Sequence, residues 1–120
     1  IKLVSVDKKV IIIEEARYFN DFGLEKYIEK CKSEIKIELK QDEFLQKLFY
    51  KADHKEEITI LKHNDEKVAF NKKYIDTMLM AFKGMKLTIY YPRDRYSPMV
   101  IESDKQKAVL LPMRLGDSEY

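Results

Sequence analysis

The stretch Lys67-Val68-Ala69-Phe70-Asn71-Lys72-Lys73-Tyr74-Ile75-Asp76-Thr77-Met78-Leu79-Met80-Ala81-Phe82-Lys83-Gly84 decides the fold, because its hydrophobic period changes part-way along. Lys67 to Phe70 reads as a short strand. After it, Ile75, Met78, Leu79 and Phe82 fall on one face of a helix, while Lys72, Lys73, Asp76, Thr77, Met80 and Lys83 lie elsewhere around it. Gly84 is a natural stop for that helix. The remainder reads as β: Met85 to Tyr91, Pro98 to Ser103 and Ala108 to Met113, joined by the polar turns Pro92–Arg95 and Ser103–Lys107.

The same switch of period occurs upstream. Glu34 to Lys40 alternates strictly, with Ile35, Ile37 and Leu39 on the core face of a half-buried strand. Phe44, Leu45, Leu48, Phe49 and Ala52 then form one stripe, predicting a helix from Asp42 to Ala52 with Asp42 as N-cap or first-turn acid. Glu57 to Leu61 is a further strand, and His63–Glu66 a polar turn. The two β-α-β patterns form a weak internal repeat. Each helix has one apolar stripe and must cover a sheet with it. The expectation is an α+β domain with two helices packed on one face of about eight antiparallel strands, the polar stripes pointing together into solvent. At the N-terminal end, Ile1 to Val6 and Val10 to Ile13 read as a hairpin across Asp7-Lys8-Lys9, which lacks an Asn-Gly or Asp-Gly signature. Glu14 to Lys32 reads either as a short helix, on the spacing of Leu24, Tyr27, Ile28 and Cys31, or as a loop.

With 120 residues, 45% hydrophobic, the chain is long enough for one domain with a real core. A net charge of +2, from 23 basic and 21 acidic residues, lacks the excess of a protein that grips nucleic acid by charge alone. The single cysteine, Cys31, allows no intrachain disulfide. No apolar run reaches membrane-spanning length and no signal peptide is visible, so cytoplasmic is the default expectation and no membrane partner is expected. The chain opens with Ile1 rather than Met, as a piece of a longer protein would.

Two segments carry a family resemblance: Val68-Ala69-Phe70-Asn71-Lys72-Lys73-Tyr74-Ile75-Asp76, and the tail Ala108-Val109-Leu110-Leu111-Pro112-Met113-Arg114-Leu115. With Ser97-Pro98-Met99-Val100-Ile101 between them, residues 68–115 resemble the second half of the last domain of the bacterial sliding clamp, the beta subunit of DNA polymerase III. Domains of that family consist of two β-α-β-β-β halves, and six of them close a ring whose helices line the hole. The resemblance implies a single clamp-like domain over residues 1–120, with 1–67 a diverged half and 116–120 a polar tail. Before the Phe70-Asn71 strand the family has a helix and then three strands, whereas only one strand is legible here. Either the N-terminal hairpin supplies the missing strands or residues 1–52 are arranged differently.

The resemblance also implies a function: a processivity factor of DNA replication that receives short peptides of polymerases and the clamp loader in a groove beside the C-terminal tail. The implied groove residues are Asn71, Tyr74, Pro98, Met99, Val109, Leu111, Pro112, Met113, Arg114 and Leu115. Methionine adapts its shape to different ligands, and a guanidinium can donate to a peptide carbonyl or carboxylate. The implied DNA-facing residues are Lys47, Lys51, Lys72, Lys73 and Lys83, tempered by Asp42, Glu43 and Asp76, so double-stranded DNA is expected as a weak, sequence-independent partner. The alternative is a stand-alone clamp-fold module that binds partner peptides without encircling DNA. Ring closure requires either a homo-oligomer or a longer parent chain.

Catalysis is not expected. His54 and His63 stand beside Asp53 and Asp65 with no nucleophile spacing, Asp94 and Glu102 belong to no paired-carboxylate motif, and one Cys with two His makes no zinc pattern. No cofactor and no metal site are expected.

Overall fold

The computed structural model describes residues 2–7, 10–14, 24–53, 55, 57–104 and 106–120, the first 25 by backbone alone. The expected turn at Lys8-Lys9, the segment 15–23, His54 and Lys105 lie outside the described residues. Among the described residues, nine strands form two antiparallel sheets, with three α-helices, in an α+β arrangement.

The N-terminal hairpin forms as expected: β1 (Lys2–Asp7) pairs with β2 (Val10–Glu14), with a bulge between Leu3 and Ser5. Of the two readings of the next segment, the helix holds: α1 spans Leu24–Cys31. Then come β3 (Lys36–Lys40), a 3₁₀ turn over Gln41–Glu43, α2 (Phe44–Leu48), β4 (Phe49–Asp53), β5 (Ile58–His63) and β6 (Glu66–Asn71). The last run is α3 (Lys72–Ala81), β7 (Lys86–Tyr90), β8 (Met99–Glu102) and β9 (Gln106–Leu110), with a second 3₁₀ turn at Asp117–Glu119. The large sheet has the order β1-β2-β9-β8-β7-β3, and the small sheet β4-β5-β6.

One expectation is corrected. The helix predicted from Asp42 to Ala52 stops at Leu48, and Phe49–Asp53 is a strand. Phe44 and Leu48 are buried, but Leu45 and Phe49 are 39% and 48% exposed, so half of the apparent stripe meets water. The Phe-Tyr pair at 49–50 suits a pleated edge better than a helix, and β4 gives β5 a second neighbour. Two strands, β4 and β5, therefore stand between α2 and the Phe70-Asn71 strand, one more than was legible and one fewer than the resemblance implies. The N-terminal hairpin does not lie among them. It extends the large sheet instead, β2 pairing with β9.

Local chemistry explains the ends of the other elements. β5 and β6 are joined by Asn64 and Asp65 at φ 48° and 69°. These two residue types tolerate the left-handed region that a two-residue hairpin turn requires. The Asn71 side chain accepts the Lys73 amide at 2.9 Å and so caps α3. Beyond α3, Gly84 takes φ 76°, and the Met85 amide returns to the Phe82 carbonyl at 3.0 Å.

The main core lies between the two sheets. Leu39, Leu87, Ile89, Met99, Ile101, Ala108 and Leu110 from the large sheet meet Leu61, Val68 and Phe70 from the small one. Phe44 and Leu48 of α2 and Ile75 and Met78 of α3 join the same core. α1 lies on the opposite face of the large sheet, where Ile28 packs on Val100 and Val109. Buried Gln106 donates its amide to the Ala81 carbonyl, tying β9 to the end of α3, and Gln41 Nε2 donates to the Leu79 carbonyl at 3.0 Å.

An ion-pair cluster fastens α1 to its sheet. Lys32 Nζ lies 2.6 Å from Glu29 and 2.9 Å from Glu102 of β8, and Lys107 Nζ lies 3.2 Å from Glu102. Burial alone would raise the Glu102 carboxyl, but the two ammonium groups hold it below the usual range. A depressed folded value stabilises above the unfolded value, and that stabilisation is lost as pH falls through the folded one. Glu102→Gln is therefore expected to cost about 1–3 kcal/mol near neutral pH, by leaving two lysines facing each other. The urea midpoints of the two chains should converge in acid below about pH 4. A constant difference across that range would remove the cluster from the stability account.

Candidate peptide-binding site

β9 ends at Leu110, and Pro112, which has no amide proton, cannot extend its ladder. The chain then crosses to the other sheet. The Met113 amide donates to the Ala69 carbonyl at 2.8 Å in an antiparallel bridge, placing the tail against the free edge of β6. Ala69 is two residues before the Asn71 cap of α3. The tail thus runs beside the strand that leads into α3.

The structure does not bring all the groove residues together. Met113 and Leu115, half-buried, lie with Tyr120 on an apolar shelf of Ile58, Ile60 and Ala69, on the face of the small sheet turned away from the main core. Leu111, Pro112 and Pro98 are half-buried and Arg114 is exposed. The Arg114 guanidinium stands 5.2 Å from the centre of the exposed Tyr96 ring. Tyr74, by contrast, packs into the main core and Met99 is fully buried there. Val109 is buried on the α1 side of the large sheet. Met99 and Val109 therefore face opposite sides of that sheet and cannot line one wall. Asn71 opens instead onto a shallow polar cleft with Glu57, Lys72, Lys73, Asp76, Thr77 and Met80, which none of residues 111–115 lines.

Tyr96 and Tyr120 escaped the sequence reading. The signal available was position: one tyrosine next to Arg95 and another at residue 120.

The basic residues are also redistributed. Lys47 is on α2, 3.8 Å from Glu43, and Lys72 on α3 pairs with Asp76 at 2.8 Å. Lys73 and Lys83 are exposed. Lys51 is on β4 rather than on a helix, because α2 stops early. Of the histidines, His63 packs against the Tyr91 ring at 5.4 Å, the two planes tilted by 53°. Among the described residues, no group of three or more His, Cys, Asp or Glu is placed to hold a metal ion, and no helix is long and apolar enough to cross a membrane.

Comparison with protein families, with curated proteins and with solved structures returned no match.

Proposed function

We propose that this chain is a sliding-clamp type domain of DNA replication, which takes up short linear peptides of polymerases or the clamp loader beside its C-terminal tail. What carries the reading is the Met113–Ala69 bridge, which returns the Pro112-Met113-Arg114-Leu115 tail to the strand that feeds α3. The order of elements supports it as well. β6-α3-β7-β8-β9 is a strand, a helix and three strands, and β3-α2-β4-β5 is the same succession one strand short. The peptide would meet the half-buried Leu111, Pro112 and Met113 and the Arg114 guanidinium. Tyr74, Met99 and Val109 pack elsewhere and would not form that wall.

DNA contact would come from Lys47, Lys72, Lys73 and Lys83, as weak and salt-sensitive attraction to phosphates. The Lys47–Glu43 and Lys72–Asp76 pairs reduce that field. They favour the second reading, a clamp-fold module that binds peptides without surrounding DNA. Light-scattering mass of the full-length native protein separates the two: a ring supports the clamp, a monomer the module.

The peptide site is tested by titrating a labelled clamp-binding segment of a replicative polymerase. Arg114 makes no ion pair among the described residues, so Arg114→Ala should leave the fold intact while weakening binding about tenfold, the worth of one charge-assisted hydrogen bond. An affinity equal to that of the parent chain would sink the groove assignment.

A further inference from the structure

Residues 116–120 behave as a ligand of their own domain. The Tyr120 side chain packs on the shelf formed by Ile58, Ile60 and Ala69, alongside Met113 and Leu115. Its hydroxyl accepts the Leu115 amide at 3.1 Å and donates to the Met113 carbonyl at 3.4 Å. Arg95, from the loop after β7, grips the segment twice: its guanidinium bonds Asp117 at 2.8 Å and lies 4.3 Å from the centre of the Tyr120 ring.

What holds this strap down is weak, whereas the surface beneath is strongly apolar. Asp117 is 94% exposed, so its ion pair with Arg95 is largely screened. The strap's own backbone bond, Glu119 amide to Gly116 carbonyl at 2.9 Å, closes a single 3₁₀ turn. Ile60 and Ala69, by contrast, are wholly buried once the strap and tail are in place. Segments with few buried contacts open at little cost, and an apolar shelf uncovered in that way seeks another occupant.

We propose that this face of the small sheet is a docking site for a peptide segment carrying an aromatic side chain beside carboxylates, and that residues 116–120 are its built-in competitor. The chemistry of the resident defines the guest. An aromatic ring lies on Ile58, Ile60 and Ala69, with Arg95 stacked against it, and a carboxylate pairs with the same guanidinium. Lys62 and Lys67 are paired across β5 and β6 next to the shelf, and both stand over the Tyr50 ring, at 5.3 and 4.5 Å. Lys62 is 3.8 Å from Asp65, so Lys67 carries most of the positive charge on the side away from α3, and that charge favours an acidic guest. The inference stands on this geometry and not on the replication reading.

The test uses the full chain and a fluorescein-labelled peptide of its own residues 113–120. The parent chain should bind the peptide weakly, because the resident strap competes. Asp117→Ala with Tyr120→Ala should bind it at least tenfold more tightly, and adding Arg95→Ala should abolish the gain. Circular dichroism checks the fold of each variant. Should the double variant lose its fold, Asp117→Asn alone, which removes only a charge, should still gain about threefold. No gain in any folded variant overturns the proposal. So does dimerisation of the parent chain in light scattering, which would make the guest a second copy's tail. Neither failure bears on the polymerase-peptide titration with Arg114→Ala.

Discussion

Phe70→Ala is expected to lower the stability of the domain by about 3–5 kcal/mol, the range for removing a large aromatic side chain from a close-packed core. Phe70 is 1% exposed and lies on β6, at the meeting point of both sheets. It faces inward with Leu61 and Val68, against Ile75 and Met78 of α3 and the inner residues of the large sheet. The cavity left by truncation would be lined from several elements, none of which can collapse into it without moving another. For a domain whose total stability is on the order of 5–15 kcal/mol, that is a large share. The thermal midpoint should drop by roughly 10 °C or more. Urea unfolding checks the figure, with the m-value unchanged. Phe49→Ala is the control, since that ring is 48% exposed and its loss should cost no more than about 0.5 kcal/mol. A Phe70 variant as stable as the Phe49 one would mean that the two sheets do not share this core.

These two phenylalanines also show where the sequence was legible. Around Phe70 each local signal points to one answer: an apolar run, then an Asn cap, then a 3.6-residue stripe ending before a left-handed glycine. Strand, helix and stop appear where the pattern places them. Around Phe49 two templates fit the same residues. Phe44, Leu45, Leu48, Phe49 and Ala52 match a helical stripe, but a stripe records only which residues are apolar and not which are covered. The pairing of β4 with β5 supplies long-range hydrogen bonds that no local window contains. The pairings of β3 with β7 and of β2 with β9 are invisible for the same reason, as each joins residues far apart in sequence.

The site follows the same division. The tail residues stand out in the sequence because Pro112 interrupts an apolar strand near the chain end, and the structure turns that interruption into a crossing between sheets. Met99 and Val109 have the right chemistry for a peptide wall, but the alternation of β8 and β9 sends them to opposite faces of the large sheet. The strap of residues 116–120 reads as a polar extension because its contacts run to Arg95 and to a shelf on β5 and β6, all remote in sequence.

Tyr91→Ala is expected to cost about as much as Phe70→Ala, roughly 3–5 kcal/mol, because Tyr91 is the largest fully buried side chain among the described residues and bridges the two sheets. It follows β7 directly, and its amide is held by the Ile35 carbonyl at 2.8 Å. Its hydroxyl donates to the Glu66 carbonyl of β6 at 2.9 Å, and its ring meets His63. Tyr91→Phe separates packing from polarity. It keeps the ring, deletes one hydrogen bond and leaves the Glu66 carbonyl without that donor, so it should cost about 1–2 kcal/mol near neutral pH. The pH dependence supplies the sharper test. Burial, reinforced by the Glu66 charge, pushes the Tyr91 phenol well above its ordinary value of 10.0. Below that value the phenol is neutral in the folded and unfolded chain alike, and contributes no slope. As pH climbs past it, the unfolded chain releases this proton while the folded chain keeps it, so stability is lost as pH rises towards the folded value. Phenylalanine has no proton to release. The midpoint gap between parent and Tyr91→Phe should therefore narrow above about pH 10, while every other titrating group cancels in the comparison. A gap that stays constant, or widens, into alkali would mean that the phenol is hydrated in the folded chain and does not join the sheets.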